Sequence, residues 1–218
     1  MSNALTVDLV MFDMDGVIFQ GRNFWLDLHR AMGTEDEAMR LWNAYGQKDY
    51  ARLAAVTVAE VWIGRAADAL HDLITARSYV DGAAEVVAWL REHGVRTAIV
   101  SSGPYQLAER AQRELQIDII RANRVVIAGG VFSGEVEVRV DDSRKDIAGR
   151  AVMAELGVDP ARVAMVGDSV ADARMAGTVG RLIAYDPNDP AFADAADDVI
   201  PSGHLRDLMG FFGATDAD

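Results

Sequence analysis

Asp13 and Asp15 are separated by one residue and followed by glycine, in the run Asp-Met-Asp-Gly. Two carboxylates this close repel each other unless a cation or a shared proton compensates them. The pair suits a divalent-metal site with a nucleophilic carboxylate. The same residue types also make ordinary solvated turns. Asp168 and Asp172 form a second pair, four residues apart, a spacing that puts both on one face if a helix begins there. Asp168 would precede that helix and reach across to Asp13, although Asp168 or Ser169 also fits the role of helix N-cap. Carboxylate oxygens from two loops, completed by waters, suit Mg2+, a hard cation that keeps part of its hydration shell.

Ser101, Ser102 and Gly103 supply a hydroxyl, backbone N–H groups and room for close approach. At a helix start this is an anion cradle, and equally a plain helix cap. Lys145 stands beside Asp141, Asp142 and Asp146, in a chain with 19 arginines and only two lysines. A compact ammonium binds phosphate as a point charge, which a guanidinium does not reproduce.

Something must bring these residues together, and the chain between them reads as alternating strands and helices. Short apolar runs at 7–12, 97–100, 162–166 and 182–185 each end in polar residues: Asp13, Ser101, Asp168 and Asp186. Buried strands of a parallel sheet look like this. Helical spacing marks 83–93, with Gly94 as a stop, then 105–115 and 145–156. The pattern predicts a doubly wound α/β sheet, whose ligands gather at the carboxyl edge of the strands. Residues 17–79 break the alternation, with helical patterns alone. They predict a helical cap of residues 17–79 inserted after the first strand, over a core of 5–16 and 80–218. Trp25, Trp42 and Trp62 fall at helical spacing within it, as cap core with one of them available to line the site. At 124–140, β-branched residues flank Gly129-Gly130, which predicts a hairpin off the main sheet. Residues 205–212 read as a closing amphipathic helix, and Asp194, Asp197 and Asp198 as a solvated face. His29, His71, His93 and His204 have no metal-ligand spacing and are expected at the surface or behind the site.

Composition narrows the function. The 218 residues carry a formal charge of −13, with 24 Asp and 10 Glu against 21 bases. Such a chain repels nucleic acid and anionic membranes, and no basic cluster offsets this. Cysteine is absent, which excludes disulfides, thiolate metal sites and cysteine nucleophiles. No apolar run approaches a bilayer span and no secretory leader is visible, so a cytoplasmic location is expected. Residues 1–4 (MSNA) read as the remnant of an expression tag. The Asp-rich, Lys-poor usage fits a salt-loving source or a high-GC codon bias. There is no G-x-x-x-x-G-K loop, so P-loop nucleotide chemistry has no support.

In their order and strand placement, Asp13-Met14-Asp15-Gly16-Val17, Ser101-Ser102-Gly103, Lys145 and Gly167-Asp168-x-x-x-Asp172 resemble the four motifs of the haloacid-dehalogenase-like (HAD) hydrolases. The likeness covers nearly the whole chain. The segment ANRVVIAGGVFSGEVEVRVDDSRK and the motif spacings further resemble the phosphoserine phosphatase branch. The resemblance implies a Rossmann-like core and a Mg2+-dependent phosphomonoesterase. In it Asp13 would become an aspartyl phosphate, and Asp15 would be general acid and then base, its carbonyl touching the metal. Ser101, the Ser102 N–H, Gly103 and Lys145 would hold the phosphoryl group. Asp168 would ligate Mg2+, with Asp172 orienting the metal shell or Lys145. The partner implied is a small phosphorylated metabolite, for a monomer or homodimer.

The substrate end departs from that branch. Where it carries a cap glutamate this chain has Arg22, and where it carries a cap arginine this chain has Thr57, with Arg52 and Arg65 as displaced candidates. Ala171 replaces the asparagine often found before the last aspartate. The expected substrate is therefore a small phosphomonoester other than phosphoserine, with any anionic group met by Arg22. Two other readings remain: a phosphotransferase or mutase using the same aspartyl phosphate, and, more remotely, a non-enzymatic phospho-acceptor regulator. Receivers of the latter kind are shorter and lack a helical insertion after the first strand.

Overall fold

The computed structural model describes residues 6–46, 48–201 and 203–213; the tag-like residues 1–4 lie outside them. Seven strands form one sheet in the order β4-β3-β2-β1-β5-β6-β7. They are β1 (Leu9–Phe12), β2 (Arg96–Pro104), β3 (Ile119–Ala128), β4 (Val131–Glu137), β5 (Val163–Gly167), β6 (Arg181–Tyr185) and β7 (Asp198–Ile200). All neighbours run parallel except β3 and β4.

The central β1 is apolar at every position because both of its faces are covered. Val10 and Phe12 enter one core with Val86, Leu90 and Leu107; Leu9 and Met11 enter the other with Val152, Met153 and Phe192. Helices α5 (Ala83–Glu92) and α6 (Tyr105–Leu115) supply the first layer, and α7 (Lys145–Leu156) and α8 (Pro190–Ala195) the second. The glycine after α7 ends it in the left-handed region, Gly157 at φ +65°. This is the expected doubly wound architecture.

The other helices are contiguous in sequence: α1 (Phe24–Ala31), α2 (Glu35–Tyr45), α3 (Tyr50–Val56), a π-helix (Thr57–Trp62) and α4 (Asp68–Ala76). Asn23 caps α1 by accepting from Leu26 N–H at 3.0 Å.

Two expectations change. The 124–140 hairpin is not separate from the sheet, because β3 starts as a parallel partner of β2 and then runs on to pair with β4. Gly129 and Gly130, at φ +58° and +81°, turn the chain. The acidic stretch at 197–198 is structural, not merely solvated. Asp197 accepts from Leu182 N–H at 2.8 Å and Asp198 pairs with Arg181 at 2.5 Å, tying β7 to β6; Asp194 is exposed as expected. The expected closing helix is present at Leu205–Phe212, of 3-10 type, with Leu205, Leu208 and Phe212 buried. Among the described residues no helix is long and apolar enough to cross a membrane.

Candidate active site

Four strand ends deliver the polar residues to one place. Asp13 follows β1, Ser101 and Ser102 lie in β2, Asp168 follows β5 and Asp186 follows β6. After β1 the chain folds tightly: Ile18 and Phe19 N–H both donate to Met14 O, and Gly16 N–H to Phe19 O. Gly16 sits at φ +78°, and a Cβ there would lie 2.4 Å from Asp168 Oδ2. Glycine is what lets the first acidic loop approach the second.

Asp13, Asp168 and Asp172 are buried and offer carboxylate oxygens within 4.8 Å of one another. Lys145, only 1% exposed, places Nζ 2.9 Å from Asp13 Oδ1 and 2.5 Å from Asp172 Oδ1. Burial alone would lower its pKa, but Asp13 and Asp172 outweigh that and hold the ammonium protonated. Asp172 and Asp168 do not share a helix face. The segment after β5 is an irregular turn with a short 3-10 helix, Asp172–Met175, capped at Ala171 rather than at Asp168 or Ser169. Asp172 Oδ2 instead accepts from Asp168 N–H, Ser169 N–H and Ser169 Oγ, each at 3.1 Å. Asp172 thus orients the loop and Lys145.

Burial, with Asp13 adding to it, pushes Asp168 up to about 7. The ordinary carboxylate value is near 4. A hard, oxygen-only donor set whose negative charges are costly to bury fits a divalent cation such as Mg2+. Asp15 lies outside the three-carboxylate cluster. Its Oδ2 accepts from Phe24 N–H at 2.8 Å, and its buried Oδ1 has no hydrogen-bond partner. Burial raises Asp15 to about 6, against the pull of Phe24 N–H.

Ser101 is buried and its Oγ accepts from Gly103 N–H at 3.2 Å. Ser102 Oγ donates to Asp142 at 2.9 Å. The Ser102 carbonyl takes three donors: Trp25 Nε1 at 2.9 Å, Tyr50 OH at 3.1 Å and Asn123 Nδ2 at 2.9 Å. A Cβ on Gly103 would lie 2.4 Å from Met14 Cε. This peptide is therefore locked between the sheet and the helical block.

Arg22 lines the cavity with its guanidinium already paired. Its guanidinium donates to Asp168 Oδ2 at 2.8 Å, to Asp186 O at 2.8 Å and to Asp186 Oδ2 at 2.6 Å. The displaced candidates are also elsewhere: Arg65 donates to Val61 O, and Arg52 lies over the Tyr45 ring. Thr57 is buried and lines the cavity.

A cavity of about 490 Å³ rises from Asp13, Asp15, Ser101 and Asp168 into the helices. Trp25, Trp42 and Trp62, expected as cap core with one of them available to line the site, all line it. His29, expected at the surface or behind the site, is buried against Trp62 and also lines the cavity. Asn123, Tyr50 and Asn188 escaped the sequence reading. Asn123 carried a signal, as a lone amide in an apolar strand; its Oδ1 accepts from Arg139 and Val140 N–H.

The haloacid dehalogenase-like hydrolase family matches residues 7–180. Phosphoserine phosphatase SerB2 of Mycobacterium tuberculosis is 29% identical over 213 residues, which cover 96% of this chain and 51% of that protein. The chain thus spans about half the length of this relative. The phosphoserine phosphatase of Halobacterium salinarum is 33% identical over 185 residues, 82% of this chain and 86% of that one. A solved phospho-aspartyl intermediate analogue of phosphoserine phosphatase superposes with a TM-score of 0.80 at 21% identity, covering 94% of this chain and 99% of the other. With its four motifs converging at the carboxyl edge of the sheet, the chain belongs to the haloacid dehalogenase-like hydrolases.

Proposed function

We propose that the protein is a Mg2+-dependent phosphomonoesterase acting on a small phosphorylated metabolite through an aspartyl phosphate on Asp13. The observation that carries this reading is the Asp13 carboxylate on the floor of a covered cavity, paired with a buried Lys145 at 2.9 Å and adjacent to Asp168.

Asp13 attacks phosphorus, forming a carboxyl–phosphate bond as the bond to the ester oxygen breaks. The departing alkoxide takes its proton from Asp15, whose raised pKa keeps a protonated fraction near neutrality. Asp15 then accepts a proton from water as that water attacks the phosphorus, releasing phosphate and restoring Asp13. Lys145 and the Ser101 hydroxyl stabilise charge on the phosphoryl oxygens, with the Ser102 N–H and Gly103 shaping the cradle. Asp13 and Asp168, with the Asp15 carbonyl and with Asp172 behind them, would hold the cation, which screens the nucleophile from the phosphoryl charge when bound. Residues 17–79 act as the cap and residues 5–16 and 80–218 as the core.

The test is phosphate release from a panel of phosphomonoesters with Mg2+, with chelator, and by Asp13→Asn. Loss of release in the last two with an unchanged circular dichroism spectrum supports the reading. Turnover that survives Asp13→Asn overturns it.

A further inference from the structure

The cavity wall contributed by the helices is apolar and aromatic. Trp25, Trp42, Trp62, Met39, Leu53 and Val58 face it. The π-helix carries both Val58 and Trp62, which line the cavity. Among the described lining residues, Arg22 is the one arginine or lysine, and, apart from its contact with the candidate metal ligand Asp168, it is held at the phosphoryl end by Asp186 O at 2.8 Å and Asp186 Oδ2 at 2.6 Å. His29 shares its Nδ1 with Thr34 Oγ1 at 2.8 Å, and burial lowers its pKa. The acids, Asp13, Asp15, Asp142 and Asp168, stand at the phosphoryl end.

An amino acid leaving group carries an ammonium and a carboxylate, and burying either without a partner is costly. Among its described residues the helical wall offers an ammonium no carboxylate, and its one cation, Arg22, already pairs with Asp186. Its volume also falls within the ~300–1,000 Å³ typical of sites that enclose much larger organic molecules.

We infer that the substrate is the phosphate ester of an uncharged, largely apolar alcohol, its body packed among the cap tryptophans. This rests on the phosphomonoesterase reading and names its substrate class. Met39 and Trp42 are 52% and 44% exposed on α2, large apolar groups at the cavity that an apolar ligand would cover.

The test compares esters with aliphatic alkoxide leaving groups, so that differences report the cavity and not leaving-group acidity. With Mg2+, kcat/KM for 2-phenylethyl phosphate is expected to exceed that for phospho-L-serine by at least about tenfold. Trp42→Ala should reduce that advantage mainly through KM. Equal or greater kcat/KM for phosphoserine overturns the inference and leaves the phosphomonoesterase reading standing. Absence of phosphate release from every ester overturns that reading instead, and a binding measurement then decides the inference. Quenching of tryptophan fluorescence by 3-phenylpropylphosphonate at concentrations where 2-amino-4-phosphonobutyrate has no effect supports an apolar site. Equal responses, or none, refute it.

Discussion

The ammonium of Lys145 lies 2.5 Å from Asp172 Oδ1, and neither side chain reaches solvent. Removing the cation from such a pair leaves a buried charge uncompensated, which typically costs about 3–5 kcal/mol. Lys145→Met is therefore expected to lower the urea midpoint sharply. Lys145→Arg should also fail to restore turnover, because a planar fork does not fit a compact enclosed site. Wild-type activity in Lys145→Arg would contradict the point-charge role.

Asp15→Asn separates proton donation from packing. The amide oxygen can still accept from Phe24 N–H, so the entry to α1 should hold. The kcat/KM for alkyl phosphates, which reports the steps up to loss of the alcohol and not the later hydrolysis in which Asp15 is the base, should fall by about 10²- to 10⁴-fold. p-Nitrophenyl phosphate, whose leaving group needs no proton, should lose much less. A parallel loss for both esters would count against Asp15 as the acid.

The carboxylate cluster makes metal binding visible without turnover. Mg2+ at about 100 times its Kd should stabilise the fold by about 2.7 kcal/mol. Differential scanning calorimetry should show a rise in Tm that Asp168→Asn abolishes. Arg22→Ala frees the Asp168 oxygen that the guanidinium holds, so titration calorimetry should find tighter Mg2+ binding. Weaker binding would mean that Arg22 supports the metal site instead of competing with it.

His29, outside the carboxylate cluster, gives a pH signature of its own. Burial depresses its folded-state pKa below the ordinary value of about 6.5. Below that pH the unfolded chain takes up a proton that the folded chain resists. The stability tied to neutral His29 is thus complete above about pH 6.5 and falls as the pH drops towards the folded-state value. Between pH 7.5 and 5.5 the wild-type urea midpoint should fall further than that of His29→Gln. Equal slopes would place the imidazole in contact with water.

Much of this was legible because the chain punctuates itself. The bounds expected for α6 and α7 coincide with those observed, since Pro104 precedes one and Gly157 ends the other. Asp13 and Asp168 follow strand ends, Ser101 follows the last regular β2–β3 pair at Val100, and Lys145 and Asp172 open helical segments, so all five converge at one edge of the sheet. What escaped depends on partners distant in sequence. β7 exists because Asp197 and Asp198 bind β6, so its acids read as solvated. Arg22 meets Asp186, 164 residues away, which its local context does not suggest. The π-helix has no residue-type signature, as it differs from an α-helix only in hydrogen-bond register.

The end of the π-helix and the start of α4 are joined to β4 by main-chain hydrogen bonds. Gly64 N–H donates to Phe132 O, Phe132 N–H to Arg65 O and Ala67 N–H to Gly130 O. An unpaired outermost strand is a template for intermolecular pairing. The helical insertion therefore occupies the outward N–H and C=O of Phe132 on this edge strand, and a shortened chain without it would open that position to pairing with another strand.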